Sequence, residues 1–216
     1  MPYRLLVHPL ARAASRATGR LGYLRGALGG ALGIALALLA ARLLPPGWQG
    51  ALLVAPVGAS AVLVLALPAS PLAQPWPVLG GSLLAMLVGL LVHGLVPAPA
   101  LAAPLALGLA LVAMSLARCL HPPGGACALI GALGHPAMLP LLAVNLAGLL
   151  VAGWLWNNAT GHRYPHRAAP APVGPARYSP ADLDAVLEEW DEVLDVSRED
   201  LDALFRAVEA RVLGRG

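Results

Sequence analysis

Residues 118 to 134 read Arg118-Cys119-Leu-His121-Pro122-Pro123-Gly124-Gly125-Ala126-Cys127-Ala-Leu-Ile-Gly131-Ala-Leu-Gly134. A guanidinium, an imidazole and two thiols thus lie between two long apolar runs, at or within a membrane. Ionisable groups there are costly and mark pathways, proton relays or binding sites. His121 can ligate a metal, shuttle a proton or donate to an anion; the plainer alternative is a ring that caps carbonyls freed by the proline break. Pro122 and Pro123 cannot continue a helix arriving through Arg118, because each lacks an N–H and its ring clashes with the preceding turn. A new helix can begin at Pro123 or Gly124, and its first N–H groups and positive dipole end favour an anion.

A second stretch has the same build. Pro56-Val-Gly58-Ala59-Ser60-Ala61-Val62 aligns with Pro123-Gly-Gly125-Ala126-Cys127-Ala128-Leu129 at an offset of 67, and the same offset places Gly81-Ser-Leu-Leu-Ala on Gly148-Leu-Leu-Val-Ala. Each half then reads as a helix, a proline–glycine-broken short helix and a second helix. Three membrane segments per half would make the halves inverted, with six crossings. If the broken helices only dip in and return, four crossings remain.

Composition sets the frame for both stretches. Of 216 residues, 58% are hydrophobic and 12% charged, and the mean hydropathy is +0.73. These values belong to a polytopic membrane protein. Ala, Leu, Gly and Val dominate without strand-like alternation, which predicts an all-α protein rather than a barrel. The chain has 11 acidic residues, all at Asp182 or later, whereas Arg4, Arg12, Arg16, Arg20, Arg25, Arg42 and Arg118 precede them and lysine is absent. No buried carboxylate is available to carry protons or cations through the membrane domain. Arginine, histidine and helix N-termini would instead favour an anion, and Ser60, Gln74, Ser82 and Asn145 add neutral hydrogen-bonding groups suited to a small oxyanion. The same neutral groups also serve ordinary interhelical bonding.

The elements that must position these groups follow in order. Residues 1–25 form a basic interfacial segment, with Arg12, Arg16 and Arg20 on one helical face. Residues 26–157 form the transmembrane domain, with spans at Gly26–Leu44, Val78–Val96, Leu101–Leu120 and Met138–Trp156 and a thin, interrupted run at Leu52–Leu67. Residues 158–178 are a polar linker. Residues 179–213 form a helical hairpin on the cytoplasmic side: Ser179…Asp182 and Ser197…Asp200 are capping signatures, and Leu183, Val186 and Leu187 then Leu201, Leu204, Phe205 and Val208 make apolar stripes. Basic residues near both ends of the membrane domain put both termini in the cytoplasm. A helix pair of this size cannot enclose a core by itself, so it would dock on the membrane domain or on another subunit.

His121-Pro122-Pro123, together with Gly58-Ala59-Ser60-Ala61-Val62 and Ser70-Pro71-Leu72-Ala73-Gln74-Pro75, resembles the HPP family of integral membrane proteins over roughly residues 20–160. The resemblance implies a multi-helix transporter, since plastid and cyanobacterial relatives are linked to nitrite. Some bacterial relatives carry C-terminal CBS domains where this chain has its hairpin. Cys127 stands where the family commonly has threonine, and Trp76 where a basic or polar residue is common. The reading that results is a homo-oligomeric transporter or channel for a small inorganic anion in a bacterial inner membrane. It needs the lipid bilayer, no nucleic acid and no cofactor, and it is not an enzyme. The substrate would meet His121, Gly124, Gly125, Ala126, Arg118, Gly58, Ala59, Ser60, Gln74 and Asn145, and Pro56, Pro122 and Pro123 would make the breaks. Two alternatives are a non-transporting scaffold or sensor acting through the hairpin, and a soft-metal transporter using Cys119, His121 and Cys127. A Ser60–His121 hydrolase lacks an acid to orient its histidine.

Overall fold

In a computed structural model the described residues are 9–45, 52–168, 177–190 and 194–213, of which residues 9–21, 23 and 190 are described by backbone alone. The expected basic face of Arg12, Arg16 and Arg20 therefore lies outside the described side chains. The described residues contain helices and no strand: α1 (Pro9–Ala41), α2 (Pro56–Ala66), α3 (Ser82–Leu95), α4 (Pro99–Leu116), α5 (Pro123–Ala132), α6 (Met138–Ala159), α7 (Pro180–Trp190) and α8 (Arg198–Leu213). A 3-10 turn at Pro71–Ala73 and a π-helical stretch at Pro77–Gly81 lead into α3. Residues Met1–Pro165 and His166–Gly216 form two compact units.

In the first unit, four segments are long and apolar enough to cross a membrane: Leu24–Ala41, Pro77–Leu95, Pro99–Leu116 and Met138–Ala159. Their outward faces are apolar, with Leu28, Leu39, Leu91 and Leu101 all more than half exposed, as lipid contact requires. The shorter α2 and α5 begin at prolines, which fit a first turn because their missing N–H would have no helical partner. Each is about 15 Å long, half the depth of a hydrocarbon core.

Close contacts fix the direction of every pass. Helices α1 and α6 are antiparallel: Gly29 meets Trp156, Gly33 meets Leu149, and the Asn145 amide donates to the Ala37 carbonyl. Asn145 also holds Leu52 and Val54 at that same level, and Ala66, at the far end of α2, lies against Gly26. Residues 52–66 therefore run back along α1 from Ala37 to Gly26, first extended and then helical. Helix α4 runs back along α3, with Met114 beside Gly81 and Ala102 and Ala106 packed with Val92. The following segment accompanies α3 in the same direction: Gly81 meets Cys119 and His121, Gly131 meets Met86, and Gly134 meets His93. The chain thus makes six passes along the bundle, four long enough to cross a membrane and two shorter ones, each extended at first and then helical.

Helix packing is closed under exchange of the halves α1–α3 and α4–α6. The pair α1–α2 corresponds to α4–α5, α1–α6 to α4–α3, and α3–α5 to α6–α2, and all six pairs pack together. Because α1 and α4 start from opposite ends, this is the expected inverted arrangement of three plus three segments. Small residues allow the closest crossings. A Cβ on Gly81, Gly89 or Gly131 would collide with the backbone at Cys119, Ala128 or Met86, and small-residue contacts of this kind hold membrane helices together.

In the second unit, α7 and α8 carry the expected caps. Ser179 and Asp182 bond reciprocally, as do Ser197 and Asp200. Arg198 reaches Asp184, and Tyr178 bonds Asp202 and meets the Phe205 ring edge-on. Leu183 is buried, but Val186, Phe205, Val208 and Val212 remain about half exposed.

Candidate functional site

The α4–α5 connection builds the site. Helix α4 ends in a Schellman turn: Cys119 N–H donates to Met114 O at 2.9 Å and Arg118 N–H to Ser115 O at 3.1 Å. The turn puts Arg118 at φ 51°, a left-handed conformation that costs an L-residue about 1 kcal/mol. The Arg118 side chain faces outward and is exposed. Trp76 Nε1 donates to the Ala117 carbonyl at 3.2 Å and fixes the turn from outside. The backbone then turns inward, and His121 arrives fully buried.

Two oxygens, one a carbonyl and one a hydroxyl, hold the His121 ring. Nδ1 lies 2.8 Å from the Leu72 carbonyl, and Nε2 lies 2.8 Å from Ser60 Oγ. A carbonyl can only accept, so Nδ1 carries a hydrogen; in the neutral ring Nε2 is then bare and accepts the Ser60 hydroxyl. Ser60 is itself buried, and its Oγ is 3.3 Å from the Pro56 carbonyl one turn earlier. The contact links the middle of α2 to the residue just before the α5 break, across the two halves.

The first amides of both short helices are engaged locally. Val57 and Gly58 N–H donate to Val54 and Ala55, and Gly124 and Gly125 N–H donate to His121 and Pro122. The free N–H groups expected in front of these helices are therefore closed by tight turns, and the side chains at the breaks, not the amides, face one another. The Gly124 position is buried against Met114 and Gly81, while Gly58 and Gly125 are half-buried and Ala59 and Ala126 are exposed. Gln74 bonds the Pro68 and Ser70 carbonyls within its own loop. Asn145 serves the first break: its Oδ1 accepts Val54 N–H at 3.0 Å, and its Nδ2 donates to Ala37 O and Leu52 O. The expected site residues thus fall into one meeting point, His121 with Ser60, and several positions that hold the breaks or face outward.

Cys119 packs with Ala85, Ala110, Met114 and Ala128, whereas Cys127 packs in the separate cluster that contains Val57, Val78 and Met86. Among the described residues no three of His, Cys, Asp and Glu group as metal ligands. The donor set of the soft-metal alternative is therefore divided between two apolar clusters.

One buried charge was not expected. Arg25 is only 7% exposed and donates to Thr160 Oγ1, the Leu65 carbonyl and Asn157 Oδ1. Leu65 closes α2, and Asn157 and Thr160 close α6. Each helix C-terminus carries roughly half a negative charge, so the two together neutralise the guanidinium without a carboxylate. At the opposite end His93, in the last turn of α3, lies 3.1 Å from the Ala132 carbonyl that ends α5. Asn157 gives the matching bond to Val64 at the end of α2. Each short helix is thus capped by the third helix of the other half. The signal for Arg25 was its place immediately before the small-residue face at Gly26, which brings α2 close.

The chain can now be set beside known proteins. Over 129 residues it is 36% identical to a transmembrane protein of Dictyostelium discoideum, covering 54% of this chain and 45% of that protein. A second Dictyostelium discoideum transmembrane protein is 36% identical over 119 residues, 50% of this chain and 38% of the relative. The chain spans less than half the length of either. No solved structure gives a significant match. The model of the HPP transmembrane region matches residues 16–165, which includes all six passes, the His121–Ser60 contact and the caps at Arg25. This chain belongs to the HPP family of transmembrane proteins.

Proposed function

We propose that the membrane unit is a passage for a small inorganic anion, with nitrite as the substrate the family resemblance suggests. The observation that carries this reading is the buried His121–Ser60 contact between the two broken helices. Transporters with inverted repeats hold substrate at the interface of the repeats, between discontinuous helices. Once protonated, the ring can donate from Nε2 to an oxyanion, the Ser60 hydroxyl can turn from Nε2 to do the same, and no carboxylate precedes Asp182 to repel the ion. The side chains, rather than the locally bonded first amides, would replace the ion's water. The protein would act as a homo-oligomer in a bacterial inner membrane with both termini in the cytoplasm, and it would catalyse no reaction.

Nitrite uptake into liposomes tests the proposal. Wild-type protein should exceed empty vesicles at least tenfold, with His121→Ala and Ser60→Ala each reduced several-fold. Wild-type uptake equal to that of empty vesicles would reject the reading.

A second reading makes the protein a membrane scaffold or sensor that acts through its hairpin. It draws support from an apolar groove of about 470 Å³ between α7 and α8, lined by Leu183, Val186, Phe205, Val208 and Val212. Partner capture that survives His121→Ala but not deletion of residues 180–216 would favour it.

A further inference from the structure

We infer that His121 is a proton-carrying site and that anion passage is coupled to proton passage in the same direction. The inference rests on the anion reading and adds the coupling ion to it. Its basis is a hydrogen-bond arrangement that is complete in both protonation states. In the neutral ring, Nδ1–H donates to Leu72 O, and bare Nε2 accepts the Ser60 hydroxyl; both distances are 2.8 Å. When a proton binds at Nε2, that nitrogen becomes a donor to Ser60 Oγ. The serine hydroxyl then rotates to the Pro56 carbonyl, 3.3 Å away. The rotation exchanges one acceptor for another and leaves no buried polar group without a partner. Unsatisfied groups are what make buried proton uptake costly, and a histidine that only caps carbonyls has no need of a rotatable acceptor–donor on its far side.

The surroundings make the added proton depend on an anion. Helix α2 and residues 67–77 bring no titratable side chain to the ring. Of the other elements at this level, the start of α3 lays Gly81 against His121, the end of α4 and its turn carry Met114, the exposed Arg118 and the buried Cys119, and α5 carries the buried Cys127. With no carboxylate in this set, a lone imidazolium has no counter-charge, and a lone anion beside a neutral ring has none either. The two charges neutralise each other only when both are present. By linkage, whatever the anion does to proton affinity the proton does to anion affinity. The pair would cross as one proton with one monovalent anion; Leu72 would hold the ring in place in both states, and Ser60 would occupy Nε2 whenever no anion does.

Proteoliposomes carrying an internal pH dye, with nitrite added outside, test this by initial rates after subtraction of empty vesicles, which also removes leakage of the neutral acid. Wild-type uptake should rise several-fold when the outside is one pH unit more acid, and the lumen should acidify in step with uptake. His121→Gln keeps a polar, hydrogen-bonding side chain but cannot titrate. It should elute as the wild type does on size exclusion, and its uptake, reduced several-fold as in His121→Ala, should be indifferent to the gradient. Ser60→Ala, which lacks the rotating hydroxyl, should lose most of the gradient response. Wild-type uptake without gradient response or acidification would overturn the coupling and leave the anion passage standing. A gradient response retained in His121→Gln would overturn the assignment to this residue. Absence of uptake by the wild type would remove the anion reading and the coupling together.

Discussion

The two halves of the membrane unit share one plan but fasten their breaks with different chemistry. The chain entering α2 is held by Asn145 through Val54, Leu52 and Ala37, and α2 ends on Arg25 and Asn157. The chain entering α5 is held by a Schellman turn and by His121 itself, and α5 ends on His93. In the first half the fastening groups do not change charge in the ordinary pH range, and each bonds in one way. In the second half the group at the break is an imidazole whose far nitrogen faces a hydroxyl that can turn. An inverted repeat needs both breaks held; on the function proposed above, only the second answers to a proton or an anion. The difference separates scaffold from site.

The largest effect should come from the close crossing both halves share. Gly89→Val would drive a side chain into the Ala128 backbone. Since backbone cannot give way as a flexible side chain can, the loss should be on the order of 3 kcal/mol or more. Detergent-purified variant should aggregate on size exclusion, whereas Gly94→Ala, which meets nothing within 4 Å, should match the wild type. Next comes the fastening of the first break. Asn145→Leu leaves Val54 N–H and Leu52 O without their partner and should cost about 2–3 kcal/mol, read as a lower melting temperature at every pH. His121→Gln should cost no more than about 1 kcal/mol while abolishing the gradient response. If the two variants exchanged these behaviours, the separation of scaffold from site would fail. Arg25→Gln removes the charge between two helix C-termini and should destabilise by about 1–2 kcal/mol. Arg25→Lys should restore part of this, since an ammonium keeps the charge but not the three-way fork.

The sequence carried the plan of this fold because its strongest signals are local. Paired prolines with glycine fix where helices break, long Ala/Leu runs fix where they span, and Ser-x-x-Asp fixes where α7 and α8 begin. The offset of 67 between the two Pro-x-Gly stretches already contained the inverted halves. The partners of the polar groups were not legible, since they lie far apart in the chain: Ser60 with His121, Asn145 with Val54, Arg25 with Asn157. Arg25 looked like one more interfacial cation because no carboxylate is near; two helix ends supply the negative charge instead, and they exist only after folding. The first amides of α5 looked free for the same kind of reason. Whether a turn closes them depends on how the backbone enters Pro122, and the sequence leaves that entry open.

A smaller effect sharpens a different contrast, between the membrane unit and the hairpin. In the hairpin, hydrogen bonds from the Ser179 N–H and hydroxyl hold the Asp182 carboxyl below its ordinary range. Arg198 does the same for Asp184, and Arg206 with Tyr178 for Asp202. A carboxylate depressed on folding contributes stability that is present above its unfolded pKa, about 4, and lost as pH falls through the lower folded value. Residues 1–165 contain no Asp or Glu, so this source of acid sensitivity is absent from the six passes. Acidifying the full chain in micelles from pH 5 to pH 3 should therefore loosen α7 and α8 first, because protonation weakens the Asp182 cap of α7 and the Asp184–Arg198 and Asp202–Arg206 pairs together. Backbone amide resonances from Leu201 to Val212 should shift and broaden, and those from Ala85 to Val92 should keep their positions. Asp184→Asn, which removes the ion pair at all pH values, should weaken the hairpin at neutral pH and narrow its further loss on acidification. Equal broadening in both regions would mean that the two units loosen together and that the hairpin's carboxylates do not set the order of loss.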